Sequence, residues 1–134
     1  MTTKHFLVAA MLICLCACNK KSISLEGDWQ LSEIPDFNID DLSEIPKLSF
    51  ITQDSTYSGY TGCNNFHGNI TFSESKITFG PGPMTRAYCD DKGLEASFLN
   101  LLFSSSEFHI DGNELELSDG SNKLLTFQKI EVAN

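Results

Sequence analysis

Residues 107–130, EFHIDGNELELSDGSNKLLTFQKI, decide the fold of this chain. Apolar and polar side chains alternate in three segments, the period of a strand that buries one face. The breaks between the segments carry the Asp, Gly, Ser and Asn residues that favour tight turns. The sequence therefore predicts three consecutive antiparallel strands, at 107–110, 114–118 and 123–130.

Further upstream, the same period recurs. The first of these segments, 27–31, places Trp29 and Leu31 two residues apart, so we expect both to point inward. Two loops interrupt the pattern: 34–46, with two Ile-Pro steps and four acids, and Gly-Pro-Gly-Pro at 80–83. The remaining segments form two predicted hairpins, 48–52 with 55–61 and 69–73 with 76–79.

One stretch has a helical period. Leu94, Phe98, Leu101 and Leu102 share one face, and Asp90 or Asp91 is suited to cap the helix, which predicts a helix over 91–103. The fold class is mainly β: a curled antiparallel sheet or partial barrel of seven to eight strands with one packed α-helix.

The first seventeen residues predict an export signal. Phe6–Ala17 is an apolar run of signal-peptide length, too short for a permanent membrane span. It ends in Leu15-Cys16-Ala17-Cys18, which resembles a bacterial lipobox, so we expect cleavage before Cys18 and lipidation of that cysteine. The alternative is an ordinary signal cleaved near Ala17, without lipid. Residues 18–24 read as a lipid tether.

The predicted location is the cell envelope. Residue 19 is Asn rather than the Asp that retains many lipoproteins at the inner membrane, which favours the outer membrane, facing the periplasm. Loss of residues 1–17 leaves 117 of the 134 residues, enough for one domain, and we expect a monomer. The formal charge of −9 becomes −10 without Lys4, which argues against nucleic acid as a partner.

Two of the five cysteines belong to the mature domain without a targeting role. Cys63 and Cys89 remain after Cys14 and Cys16 leave with the signal and Cys18 takes lipid. In an oxidising compartment such a pair predicts a disulfide, and two buried free thiols are the alternative.

The segment Gly59–Gly68, GYTGCNNFHG, resembles the signature of the META domain, or HslJ-like, family. A second block, 84–89, resembles the family's Thr-Arg/Lys-x-x-Cys element and is followed by residues 94–99 at the start of the predicted helix. The likeness covers residues 25 to 129 and is taken to define a domain over 25–134. The residues that match the family motif are Gly62, Cys63, Asn64, Gly68, Thr85, Arg86 and Cys89.

The resemblance implies a compact β-rich fold with a helix, frequent in envelope lipoproteins, and an association with stress response and antibiotic tolerance. It implies no established catalytic residues. His67 departs from the family pattern, in which a small polar residue is expected.

The chemistry-bearing residues favour structural roles. Asn64 after a glycine suits a tight loop stabilised by side-chain hydrogen bonds. Cys63, His67 and Cys89 would give zinc only three ligands, so we expect no metal and no cofactor. Arg86 is predicted to pair with Asp90 or Asp91 rather than to bind an anion.

These observations lead to three hypotheses for the function. The first is a non-enzymatic envelope lipoprotein, with an envelope protein as possible partner and no catalytic residues. The second is a module that binds a small apolar molecule or drug in the mouth of the barrel. The third, the weakest, is an enzyme that uses Cys63 or Cys89 with His67. The aromatic residues Tyr57, Tyr60, Phe66 and Tyr88 flank the motif, and we expect at least two of them in the core.

Overall fold

The computed structural model describes residues 24–132. The predicted signal peptide, Cys18 and the tether up to residue 23 lie outside the described residues, as do residues 133 and 134. The strands are β1 (Gly27–Glu33), β2 (Lys47–Ile51), β3 (Thr56–Tyr60), β4 (Asn65–Phe72), β5 (Ile77–Phe79), β6 (Glu107–Asp111), β7 (Glu114–Ser118) and β8 (Lys123–Lys129). The helix α1 spans Leu94–Ser104, and two short 3₁₀ turns cover Ile39–Asp41 and Thr52–Asp54.

All eight strands form one antiparallel sheet in the order β5-β4-β3-β2-β1-β8-β7-β6. Its outer strands approach each other, because the Ile77 N–H donates to Ser106 O at 3.1 Å and the Phe108 N–H donates to Ser75 O at 2.9 Å. A bridge and ion pair between Lys76 and Glu107 lies at the same seam. The sheet is therefore a nearly closed barrel, as the sequence predicts.

The alternation along the strands fills the barrel with apolar side chains. Trp29 and Leu31 are both buried, as expected, and so are Leu115 and Leu117 of β7 and Phe127 of β8, which pairs directly with Leu31. Burying a side chain of this size contributes about 1.5–3 kcal/mol. The interior is thus a packed core.

Helix α1 lies across one end of the barrel. It contacts both β5 and β8, which are far apart in the sheet. Its buried face, Leu94, Phe98 and Leu102, joins the core, and the Phe98 ring packs edge-on against Phe66 and Phe127. We call this the helix end, and the opposite end, where β1 begins at Gly27, the tether end.

Two predicted boundaries are wrong. The helix begins at Leu94 rather than at residue 91, because Lys92 and Gly93 have φ of 53° and 87°, which a right-handed helix excludes. Asp91 still binds the helix start, since its carboxylate accepts from the Gly93 and Glu95 N–H groups. Strand β4 begins at Asn65, four residues before the predicted start.

Candidate functional site

The family motif gathers at the helix end, around the buried side chain of Asn64. Asn64 follows β3 by four residues and is 1% exposed. A tight turn presents it: the Thr61 hydroxyl accepts from the N–H groups of Cys63 at 3.2 Å and Asn64 at 2.8 Å. The Thr61 N–H donates to Asn64 O at 2.9 Å and closes the turn.

The Asn64 amide connects three segments. Its oxygen accepts from Thr85 Oγ1 at 2.9 Å and from the Ala87 N–H at 2.7 Å. Its nitrogen donates to Ala87 O at 3.1 Å and to Glu95 Oε2 at 2.9 Å. One side chain thereby joins the β3–β4 turn, segment 84–89 and the start of α1. We call this group of Thr61, Asn64, Thr85, Ala87 and Glu95 the Asn64 clasp.

Three members of the clasp, Thr61, Ala87 and Glu95, are absent from the predicted motif residues. Glu95 accepts from the Asn64 amide and also from the Thr61 hydroxyl at 2.5 Å, so its charge is held between two donors. Its place in the first turn of α1 also suits a carboxylate. The signal in the sequence was that Glu95 lies in the segment 94–99, which follows the second matching block.

The motif glycines allow close packing. Gly62 has φ of 94°, and a Cβ there would meet the Glu44 carbonyl at 3.0 Å. At Gly68, a Cβ would lie 2.5 Å from the Gly80 carbonyl. The segment after β5 can therefore run directly along β4, where the His67 N–H donates to Pro83 O.

A disulfide joins the motif's two cysteines. The structure bonds Cys63 to Cys89, with their Cα atoms 6.0 Å apart. The bond links the β3–β4 turn to segment 84–89 beside the Asn64 clasp, so the same two segments are held covalently and by hydrogen bonds. Neither sulfur is a free thiol, so neither is available as the nucleophile or the metal ligand considered above.

The remaining candidate residues do not converge on the clasp. His67 and His109 are exposed on strands β4 and β6. Arg86 is exposed, and the ion pairs among residues 24–132 join Lys76 to Glu107 and Lys123 to Glu33. The predicted pairing of Arg86 with Asp90 or Asp91 is therefore wrong. Within the same residues, no group of three or more His, Cys, Asp or Glu side chains is placed to hold a metal ion.

The four aromatic residues that flank the motif differ in burial. Tyr57 and Phe66 are buried and pack edge-on, with ring centroids 5.9 Å apart, whereas Tyr60 is half-buried and Tyr88 is 94% exposed. Two of the four thus lie in the core, as expected. Burial raises the pKa of the Tyr57 phenol to about 12, and its hydroxyl donates to Gly80 O at 2.8 Å.

A groove of about 660 Å³ crosses the outer face of strands β1 to β4. Its floor follows the row Asp28, Ser49 and Ser58, which the strand register places side by side. Small side chains there leave a depression between larger ones, and its surface is mostly apolar. Larger residues form the walls: Lys47, Tyr60, His67, Pro83, Met84 and Ile130.

A second recess, about 700 Å³, lies at the tether end. Leu25, Phe72, Phe108 and Ile110 contribute its apolar surface, and Ser24, the first described residue, lies at its edge. The packed core lies behind it, so it is a surface recess rather than an opening into the barrel. None of the helices in the described part of the chain has the length and hydropathy of a membrane span.

Three solved structures share the fold. An NMR structure of a protein from Burkholderia xenovorans is 23% identical, with a TM-score of 0.62, covering 78% of this chain and 82% of that one. A second NMR structure is 21% identical, with a TM-score of 0.61, covering 78% and 89%. A DUF4847 family protein from Bacteroides vulgatus is 15% identical, with a TM-score of 0.58, covering 77% and 92%.

No curated protein matches the chain. The model of the META domain family matches residues 21–132, which include the whole described barrel, the Asn64 clasp and the disulfide. The chain therefore belongs to the META domain family.

Proposed function

We propose that the protein is a non-enzymatic, lipid-anchored protein of the cell envelope, with its META domain held outside the membrane by an acylated Cys18. The observation that carries this proposal is the Cys63–Cys89 disulfide. Such bonds persist in exported proteins and are rare in a reducing cytosol. The disulfide thus agrees with the export signal predicted for residues 1–17.

The geometry of the motif supports a structural rather than a catalytic role. The amide of Asn64 has its oxygen and nitrogen engaged by partners within the chain. A catalytic constellation needs a reactive group facing a place where substrate can sit. The clasp instead turns its polar groups towards one another and fastens the helix end of the barrel.

The anchor is tested by intact-mass measurement of the protein purified from membranes of a bacterial host. We expect a mature N-terminus at Cys18 that carries acyl chains, and a mass two hydrogens below that of the reduced form. Cys18→Ala should abolish acylation and membrane attachment. Cys16→Ala is the matched control, because it removes a signal cysteine but keeps a small residue at position 16, two residues before Cys18. An unacylated N-terminus contradicts the proposal.

A role in envelope stress or antibiotic tolerance is part of the proposal, on the association that the resemblance to the family implies. A strain that lacks the protein should grow less well under envelope stress. Wild-type protein should restore growth, whereas Cys18→Ala should not, since the unanchored domain would leave the membrane. Equal growth of the deletion and wild-type strains contradicts this part.

A second candidate function is binding of a small apolar molecule, and the outer groove favours it. Its volume lies in the range of ligand pockets, and it combines an apolar surface with a few polar groups. The sequence alone suggests the barrel mouth as the ligand's position, but the filled core leaves the outer face as the better one.

The neutral fluorescent probe N-phenyl-1-naphthylamine tests this candidate. We expect its emission to rise with wild-type protein and to be lost with Ser58→Phe, which places a ring on the groove floor. Thr71→Phe is the matched control, since Thr71 is also exposed on the outer face but outside the groove. Equal binding by all three proteins contradicts the assignment.

A further inference from the structure

We propose that the apolar recess at the tether end rests on the surface of a zwitterionic lipid bilayer. This inference rests on the proposed anchor at Cys18 and adds an orientation to it: the domain faces the membrane with one particular end.

The chain enters the domain at the edge of the recess, and three contacts fix its path. The Trp29 indole N–H donates to Leu25 O at 2.8 Å. The Lys129 ammonium donates to Glu26 O at 2.8 Å and to Ser24 O at 3.4 Å, while it lies 4.9 Å from the Trp29 ring centroid. The barrel itself therefore fixes the position of residues 24–26, to which the tether is joined.

The tether is short compared with the domain. From Cys18 to Ser24 there are six residue steps, which span at most about 20 Å when fully extended. A domain of this size is roughly 30 Å across. An anchored domain therefore keeps its tether end close to the headgroups, while the helix end with the Asn64 clasp stays further out.

Apolar side chains stand exposed where the bilayer would meet the domain. Phe72, on the recess, is 37% exposed, and Ile51, next to Thr52 of the recess, is 50% exposed. Exposed apolar patches of this kind mark interaction surfaces. Each side chain alone would bind a bilayer weakly, but an anchor raises its effective concentration at the surface.

Charges of both signs surround the tether end and bear on the type of lipid it meets. Glu26, Asp54 and Glu74 are exposed around the recess. Hydrogen bonds from Thr52 lower the pKa of the Glu26 carboxyl, so it stays charged at neutral pH. Lys129 and the tether residues Lys20 and Lys21 supply positive charges that offset these three carboxylates. With its charges balanced, this end does not need an anionic lipid, so a zwitterionic surface suffices.

The test uses the full-length acylated protein reconstituted in phosphatidylcholine vesicles, with or without bromine on the acyl chains as a fluorescence quencher. Ile51→Trp should lose about half of its added emission in brominated vesicles, because a membrane-contacting ring sits at the headgroup and acyl boundary. Tyr88→Trp, exposed at the helix end, should lose none. Wild-type protein gives the background of Trp29, and Phe72→Trp supplies a second position within the recess.

The outcomes separate this inference from the anchor. If the acylated protein floats with the vesicles but both variants at the tether end remain unquenched, the docked orientation is overturned and the anchor is left intact. Equal quenching at positions 51 and 88 overturns it as well. Protein that is unacylated and does not float overturns the anchor and the inference together.

Discussion

Replacing Asn64 by aspartate changes one atom of the side chain and tests the clasp directly. The retained oxygen still accepts from Thr85 and from the Ala87 N–H. The amide nitrogen, which donates to Glu95 Oε2 at 2.9 Å, becomes an oxygen that faces a carboxylate. We expect Asn64→Asp to destabilise the protein strongly at pH 7 and much less at pH 4.

The expected cost follows from two contributions. A lost hydrogen bond to a charged group costs about 2 kcal/mol. Two carboxylates that relax to about 4 Å repel by about 4 kcal/mol at an effective dielectric constant of 20, which we halve because Glu95 is partly exposed. The total loss at pH 7 is about 4 kcal/mol, a large share of the roughly 5–15 kcal/mol that stabilises a domain.

The pH dependence has a definite sign. The carboxyl pair binds one proton more tightly in the folded state than in the unfolded state, so its pKa is raised. The variant therefore regains stability as the pH falls through that raised pKa, when one carboxyl donates to the other. Combining Asn64→Asp with Glu95→Gln should restore stability at pH 7, because the new amide donates to the new carboxylate.

Urea unfolding followed by Trp29 fluorescence measures these effects, because Trp29 is the single tryptophan and is fully buried. Asn69→Asp is the matched control: it makes the same change at an exposed position on β4 and should alter stability by less than about 0.5 kcal/mol. A loss below about 1 kcal/mol for Asn64→Asp at pH 7, or an equal loss at pH 4, would refute the clasp.

Three further predictions concern the surrounding scaffold. Joint replacement Cys63→Ser and Cys89→Ser should lower the free energy of unfolding by about 3.5 kcal/mol, since the bond closes a loop across a sequence separation of 26; an unchanged urea midpoint would exclude this contribution. Burial raises the pKa of Tyr57 to about 12 in the folded protein, so the phenol of the unfolded chain ionises first as the pH rises. Wild-type stability should therefore fall by about 2 kcal/mol between pH 10 and 12 relative to Tyr57→Phe. Parallel pH profiles of the two proteins would contradict this prediction. Gly82→Ala should lower the free energy of unfolding by about 2 kcal/mol or more in the same urea assay, because its Cβ would lie 1.9 Å from His67 O. A variant as stable as wild-type protein would show that the loop can move away.

Local patterns predicted the strands because each carries its own period-2 signal. Trp29 and Leu31 identify the inner face of β1 without reference to any other strand. The start of α1 is set instead by two residues with positive φ just before it, and the start of β4 by its pairing with β3, and neither feature is visible in the hydrophobic period. Asn65 pairs with the last residue of β3, and its N–H also donates to the Thr85 hydroxyl, twenty residues further along the chain.

The candidate site was predictable in part for the same reason. The likeness to the family singled out Asn64 and both cysteines, and the compartment argument predicted the disulfide that the structure contains. Glu95 could not be assigned because its role exists only once α1 lies against the β3–β4 turn. Arg86 was assigned a partner from sequence proximity, yet neighbouring positions in an irregular segment do not fix side-chain direction.

The arrangement of the clasp bears on where binding specificity resides in this fold. Asn64, Thr61 and Glu95 satisfy one another's hydrogen-bonding groups, and the disulfide covers the same corner. Their polar groups are thus directed into the fold rather than toward a partner. We therefore expect a partner to be recognised beside the clasp rather than by it, at the outer groove, to whose lining Thr85 contributes, or at the tether end. It follows that replacing the groove residue Ser58 should alter binding without altering stability, whereas replacing Asn64 should do the reverse.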